Sequence, residues 1–433
     1  ADLASRIEVV RGPQSALWGS EAIGGVIAVD GPTAGRGGTI LDSEIGSFAT
    51  RRAAARTTIG SAERGLSLGV AGQRNGGIDS FSGNGDRDGY RNLAARASGS
   101  YRLNDQVALG ASGFALRGLS EFDGYDPLTF AHADTADATR NRLAAGRVEA
   151  TYGDRDALYA TAAASLLGSH NRNLLGAQEV NRTRASRRTV AFEAGTQIGR
   201  HRFVAAVDSE AERFHTRDQA YGGFTNQDRT RAHHSLTLEY KMSDLGRLST
   251  DLAVRRDLFS RFADATTVRG SVLVDLGRGF SLAGTFGQGI AQPTFFDLYG
   301  FFPGSFAGNP ALRPERSQGG EVAGRFRRGR VAGALTYYRQ RLRNEIVDVF
   351  AFPLSSTANA SGTSRRQGVE AELDYRVSDA FPLSTTYAFL DASEPTVAGA
   401  QIKEQRRPRH SGSVGVDGAR RTTAGDDWRV HAA

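Results

Sequence analysis

The chain contains no cysteine. A disulfide framework and a thiolate metal site are therefore both excluded. Long apolar runs are missing as well. Nothing approaches the roughly 18 consecutive apolar residues of a membrane-spanning helix, and mean hydropathy is only −0.38. A transmembrane helix is excluded by this, but a membrane is not, because a barrel strand shows lipid only every second residue and its average looks soluble. Proline is scarce, with 11 in 433 residues, too few for a disordered linker protein. No large excess of one charge exists either: 54 basic against 47 acidic residues leave +7. The arginines are spread along the chain, so the charge reads as solvated loops and a polar lumen rather than a nucleic-acid face. What the chain does have is 53 glycines, 23 phenylalanines and 12 tyrosines, which suit many strands joined by turns and flanked by aromatic girdles.

The dominant signal is period-two alternation. Leu236, Leu238, Tyr240 and Met242 alternate with Thr237, Glu239 and Lys241. Val369, Ala371, Leu373 and Tyr375 alternate with Glu370, Glu372 and Asp374, and Leu66, Leu68 and Val70 repeat the pattern. A soluble sandwich would also alternate. The connections discriminate. Short turns near 61–64, 103–106, 153–156, 199–201, 243–246, 277–279, 328–330 and 378–380 take turns with long loops near 76–89, 119–138, 169–186, 214–230, 288–314, 352–363 and 393–407. An up-and-down outer-membrane barrel has short turns at one end and long loops at the other; a Greek-key sandwich has no reason to keep that asymmetry. The count is about 19 strands of about 9–14 residues each, long enough to cross a bilayer at a tilt. Asp427 to Ala433 read as a strand just begun, and no signal-like run precedes residue 1, so the chain reads as a fragment of a longer, even-stranded barrel. No repeat of fixed period argues for a propeller or solenoid.

Residues 6–29 carry a different pattern: a short strand from Ile7 to Val10, a Gly12-Pro13 turn, one helical turn, a Gly24-Gly25 break and a second strand. No Lys-Ser/Thr follows a glycine-rich run, so it is not a phosphate loop. The run Ile7, Glu8, Val9, Arg11, Gly12, Pro13, Ala16, Leu17, Gly19, Ser20, Ala22, Ile23, Gly24, Gly25, Val26 and Ile27 closely resembles the end of the plug domain of TonB-dependent outer-membrane receptors. Trp18 stands where that family more often has Tyr, and Val29-Asp30-Gly31 replaces its Ile-Thr ending. The likeness continues in Asn309-Pro310-Ala311-Leu312-Arg313-Pro314-Glu315 and in Gly368-Val369-Glu370, and Arg406-Arg407-Pro408-Arg409-His410 is similar to the cobalamin-receptor-like branch.

The resemblance implies an all-β protein: a transmembrane antiparallel up-and-down barrel, of about 22 strands in the parent, whose last strands are missing here. Residues 1–33 would be the C-terminal end of the plug and 34–433 the barrel. It implies a receptor and transporter, not an enzyme, in the bacterial outer membrane. The ligand binds from outside, the plug blocks the lumen, and the TonB-ExbB-ExbD complex pulls the plug to admit a scarce nutrient. Cobalamin or a related corrinoid is the leading cargo and a ferric siderophore the alternative. A passive porin or adhesion barrel is the rival from another class, and the plug motif argues against it. Partners are then that complex, the small-molecule ligand and outer-membrane lipid, with no nucleic acid.

Alternation turns Glu321 and Glu370 into the lumen, so Arg11 is expected to pair with one of them across the plug–barrel boundary, at a cost of several kcal/mol if one partner is lost. Asp86, Asp88, Asp123, Asp126, Asp134 and Asp137 lie in two long loops; oxygen-rich loops suit calcium, and the resemblance to cobalamin receptors supports it. His233 and His234 are neighbours on a strand, face opposite sides and cannot share a metal. Phe295, Phe296, Tyr299, Phe301, Phe302 and Phe306 crowd one loop, either as an apolar ligand surface or as a loop packed on itself.

Overall fold

Alternating side chains call for an extended backbone whose hydrogen bonds run sideways to neighbouring strands, and nearly all of this chain is built that way. The computed structural model describes residues 3–31, 38–61, 63–81, 87–126, 131–220, 222–302, 305–378, 381–421 and 427–432, and of 419–421 and 427–432 the backbone alone. The N-terminal segment holds β1 (Arg6–Arg11), the single-turn helix α1 (Ser15–Trp18) and β2 (Gly25–Asp30). Then come β3 (Gly38–Gly46), β4 (Thr50–Gly60), β5 (Arg64–Asn75), β6 (Tyr90–Arg102), β7 (Val107–Tyr125), β8 (His132–Gly153), β9 (Leu158–Leu175) and β10 (Gln178–Ile198). They are followed by β11 (His201–Asp218), β12 (Gln227–Leu245), β13 (Leu248–Phe259), β14 (Ala265–Gly277), β15 (Phe280–Ala291) and α2 (Phe295–Tyr299). The rest are β16 (Phe301–Phe302), β17 (Phe306–Ala307), β18 (Glu315–Arg328), β19 (Val331–Arg343), β20 (Ile346–Val349), β21 (Ser356–Asn359), β22 (Thr363–Ser378), β23 (Phe381–Pro395), β24 (Gln401–Lys403), β25 (His410–Arg421) and β26 (Asp427–Ala432).

The long strands form one antiparallel sheet, each beside its neighbour in the chain, wound as a barrel. Twenty segments take part, or nineteen without the three-residue β24, which agrees with the count from alternation. The small pairs β16–β17 and β20–β21 belong to the connections at the long-loop end, and β1–β2 form a separate hairpin. Among the described residues no helix is long and apolar enough to cross a membrane.

The two faces are inverted relative to a water-soluble protein. Val70, Leu109, Val148, Leu166, Phe192, Leu236 and Val322 stand exposed on the outer face. Glu212, Arg231, Ser317 and Glu370 lie on the other face, which also receives the N-terminal segment. The buried apolar cluster is accordingly small: Phe259, Ala265 and Ile290, with Phe262 against it. Lipid, not a core, is the solvent for most of the apolar surface.

Three of the expected long loops are taken up in large part by strand. β7 continues to Tyr125 and β8 begins at His132; β9 and β10 are separated only by Gly176 and Ala177; β11 runs to Asp218. β8 reaches 22 residues and β10 reaches 21, well beyond the expected length. The ladder hydrogen bonds do not need an apolar face, so pairing continues above the lipid, where both faces turn polar and the alternation that marks a strand in sequence disappears. Gly176 takes φ +59 in its two-residue turn, a left-handed position that most side chains resist. The tight β3–β4 connection at 47–49 was not expected from the sequence.

Candidate functional site

The N-terminal hairpin pairs Val10 with Val26 and Arg11 with Gly25. From there the segment 12–24 packs on the inner wall formed by β13, β14, β15, β18 and β19. Its backbone is held at named points. The Ile23 carbonyl accepts from Ser317 Oγ at 2.8 Å and from Gln340 Nε2 at 2.8 Å. The Glu21 amide donates to the Ile290 carbonyl at 2.7 Å, and the Ile290 amide donates to Ser15 Oγ at 3.1 Å. Glycine on the wall makes this approach possible: a Cβ on Gly287 would lie 2.1 Å from the Pro13 carbonyl oxygen, and one on Gly289 would lie 2.9 Å from Ile23 Cα. The motif residues thus divide into hairpin strands (Ile7, Glu8, Val9, Arg11, Gly25) and a docked turn region (Gly12, Pro13, Gly19, Ser20, Gly24).

Arg11 reaches the wall as an ion pair with Glu370. Glu321 lines the same cavity, about 410 Å³ beside Pro13, Gln14 and Tyr338, but among the described residues it forms no ion pair. The Arg11 side chain is 58% exposed, so water screens the pair, and the several kcal/mol expected from sequence falls to about 0–1 kcal/mol.

A larger charge cluster went unnoticed in the sequence. On β10–β13 the inward positions carry Arg187, Glu210, Glu212, Arg231, His233, Arg255 and Asp257. Arg187 binds Glu212 at 2.6 Å, Arg231 binds Glu212, and both approach Glu21 of the N-terminal segment at 3.7 and 3.8 Å. His233 Nε2 meets the wholly buried Asp257 at 2.7 Å, and Arg255 Nε meets the same carboxylate at 2.8 Å. His234 faces the other way and is exposed, as alternation requires. The signal was present as charged residues at every second position of three consecutive strands. Only the register showed that they meet.

Arg231 also donates to the Pro293 carbonyl at 2.8 Å and lies 4.8 Å from the centre of the Phe295 ring, so it joins the outer connection to the N-terminal segment. That connection contains α2, started by a capping box between Thr294 and Asp297. Phe295 stacks on Phe214 at 5.3 Å, Phe296 on Phe306 at 5.0 Å, and Tyr299 lies between Arg229 at 4.3 Å and Arg261 at 5.0 Å. Phe301 pairs with Ala307 in the β16–β17 ladder. The loop packs largely on itself, yet Phe296 and Phe302 stay exposed.

Of the six acidic residues expected to bind calcium, five lie among the described residues. Asp86 lies outside the described residues. Asp123 accepts from Ser80 Oγ at 2.8 Å and from the Thr135 amide at 3.1 Å, Asp88 accepts from the same Ser80 hydroxyl, and Asp137 accepts from Thr135 Oγ1 at 2.6 Å. The Asp126 amide donates to the Ala131 carbonyl at 2.9 Å, and Asp134 sits in β8. Among the described residues no group of three or more such side chains is arranged to hold a metal ion.

A barrel is also what the known proteins point to. A family model described as TonB dependent receptor-like, beta-barrel, matches residues 38–432. The chain belongs to the TonB-dependent receptor family. This receptor is 23% identical over 424 residues to the vitamin B12 transporter BtuB of Photobacterium profundum, a match covering 90% of this chain and 63% of that protein. The chain therefore spans under two thirds of that relative's length. Among solved structures it resembles the siderophore receptor PirA of Acinetobacter baumannii, with TM-score 0.76, 17% identity, and coverage of 95% of this chain and 70% of that one. It resembles the copper transporter OprC as well, with TM-score 0.75, 12% identity, and coverage of 96% and 70%. At such identities the likeness to solved structures shows the fold alone; the outer-membrane location follows from membership of the family.

Proposed function

We propose that the receptor actively takes up a scarce small-molecule nutrient, a corrinoid such as cobalamin, driven by the TonB-ExbB-ExbD complex of the inner membrane and without breaking a bond in the ligand. Residues 1–33 are read as the end of the plug and 34–433 as the barrel, one of about 22 strands in the complete protein. One observation carries the reading: the segment 12–24 is tied to the inner wall through the Ile23 and Ile290 backbones. A passive pore gains nothing from such an obstruction, whereas an energised one needs something to move. Most of these ties are single hydrogen bonds, each worth about 1 kcal/mol, so a modest pull suffices to release them in turn.

The corrinoid reading is supported by what the BtuB relative transports and by the Arg406-Arg407-Pro408-Arg409-His410 stretch. An iron chelate is the runner-up, and the arginines flanking Tyr299 would suit a negatively charged one. Retention of radiolabelled cobalamin by cells expressing the full-length parent gene tests the cargo. Saturable retention at nanomolar concentrations is expected; none at micromolar concentrations would move the assignment to the iron chelate.

A further inference from the structure

The tall hairpins of β8–β11 carry an uncharged patch on their inner face, apart from the charge cluster lower on the same strands. Thr139, Asn173 and Asn181 lie side by side on β8, β9 and β10, and Asn141, Asn171 and Thr183 form the next row. Both rows share the face of β10 that carries Arg187. The row nearer the hairpin tip is linked: Thr139 Oγ1 donates to Asn173 Oδ1 at 2.9 Å, and Asn173 Nδ2 donates to Asn181 Oδ1 at 2.9 Å. The second row is not linked. Among the described residues no side-chain hydrogen bond occupies Asn141, Asn171 or Thr183. A carboxamide has two N–H donors and two acceptor sites, so the protein leaves most of the capacity of this row unused.

The neighbouring charges are turned elsewhere. Asp218, opposite Asn181 on β11, directs its carboxylate into its own connection, where it accepts from the Gly223 amide at 3.0 Å and from the Thr225 amide at 2.8 Å. Arg229, opposite Phe214 on β12, lies over the Tyr299 ring. Leu143, Ser169, Ala185 and Phe214 separate the patch from the Arg187–Glu212 pair. Phe214 stacks on Phe295 at 5.3 Å and so sets an apolar shelf beside the amides. Neutral donors and acceptors next to an aromatic shelf suit a ligand with an apolar body and a rim of uncharged hydrogen-bonding groups. They do not suit an anion, whose charge would lose hydration there and meet no counter-charge from Asn141, Asn171 or Thr183.

We propose that Asn141, Asn171 and Thr183 bind the carboxamide rim of the transported ligand, so that this wall selects a corrinoid by its neutral amides and against an anionic iron chelate. The inference rests on the corrinoid reading and sharpens it. Cobalamin carries primary amides around the edge of a largely apolar macrocycle. Such an amide donates to an asparagine Oδ1 and accepts from an asparagine Nδ2, a two-point match that an ester or a carboxylate cannot complete. An analogue that leaves these side chains unpaired is rejected for that reason.

The test measures equilibrium binding of radiolabelled cyanocobalamin to the purified full-length protein in neutral detergent. Three neutral hydrogen bonds are together worth roughly 100-fold in affinity, so N141A/N171A/T183V should bind that much more weakly, while Arg142→Gln on the outer face of β8 should match the parent. Competition against the unaltered protein supplies a readout that needs no variant. A corrinoid with its peripheral amides replaced by methyl esters stays neutral but lacks the N–H donors, and it should compete roughly 100-fold less well than the amide form. Equal binding by the triple variant, or equal competition by the ester, would overturn the inference and leave the corrinoid reading in place. Absence of cyanocobalamin binding to the parent would end the corrinoid reading, and this inference with it.

Discussion

Replacing Arg255 by methionine keeps most of the side-chain volume and removes one charge from the inner cluster. In the intact receptor the guanidinium binds Asp257 at 2.8 Å, Asp208 at 3.1 Å and Thr237 Oγ1 at 3.2 Å. Asp257 is wholly buried. Among the described residues, its carboxylate then keeps only His233, and Asp208 keeps only Ser235. Removing one member of a buried ion pair costs about 3–5 kcal/mol, mostly as the desolvation of the charge left behind. R255M/D257L, which removes both charges, should recover most of that loss. Arg255 Nη2 would lie 3.4 Å from a Cβ on Gly19, next to Trp18, so the N-terminal segment loosens with the cluster. Urea unfolding of the full-length protein, followed both by barrel circular dichroism and by fluorescence changes lost in a Trp18→Phe background, measures the two effects. If R255M unfolds like the parent, or if R255M/D257L is no better than R255M, the cluster does not hold the segment in the way described.

Four further expectations follow from the same geometry. Gly287→Val puts side-chain carbon against the Pro13 carbonyl, so the N-terminal segment should be displaced while the barrel still folds; entry of a bulky antibiotic into cells should rise, and unchanged permeability would contradict the docking. An Arg11→Ala, Glu370→Ala cycle should give a coupling of about 0–1 kcal/mol, because Arg11 is largely exposed; a coupling above about 2 kcal/mol would mean the pair is shielded from water. Calorimetric titration of calcium into the complete protein tests the expectation that these loops bind it: binding at or below millimolar calcium supports it, and no binding at millimolar calcium would end it. Glu404, in the loop after β24, is pushed up by burial, but hydrogen bonds from Arg366 and Arg407 outweigh this and hold its carboxyl below the ordinary value. Its contribution is therefore complete above the ordinary carboxylate range and lost as pH falls through the lowered value. Hydrogen exchange in 401–407 should speed up only at that acid end, and a loss near neutrality would refute the assignment.

Much of the architecture was legible because the alternation in β12 and β22 and the short turns between strands are local properties. The tall hairpins above the lipid were not. In β8–β11 both faces are polar there, and what keeps the strands paired is backbone hydrogen bonding that no side-chain pattern records. The N-terminal motif was legible because Gly12, Gly19, Gly24 and Gly25 mark turns at fixed spacing. Which wall it meets was not, since Gly287, Ser317 and Gln340 lie some 300 residues away in sequence and are chosen by register. The same applies to the inner cluster: each strand contributes a few ordinary charges, and only lateral pairing turns them into a site.

The central claim is that the segment docked inside the barrel is a plug worked by an energised partner. The direct test is accumulation of radiolabelled ligand in cells expressing the full-length receptor, with TonB present or deleted, alongside surface binding in the same cells. The account predicts equal surface binding in both strains and accumulation only where TonB is present. Equal accumulation in the two strains would mean that the barrel conducts passively and that the docked segment is not its gate.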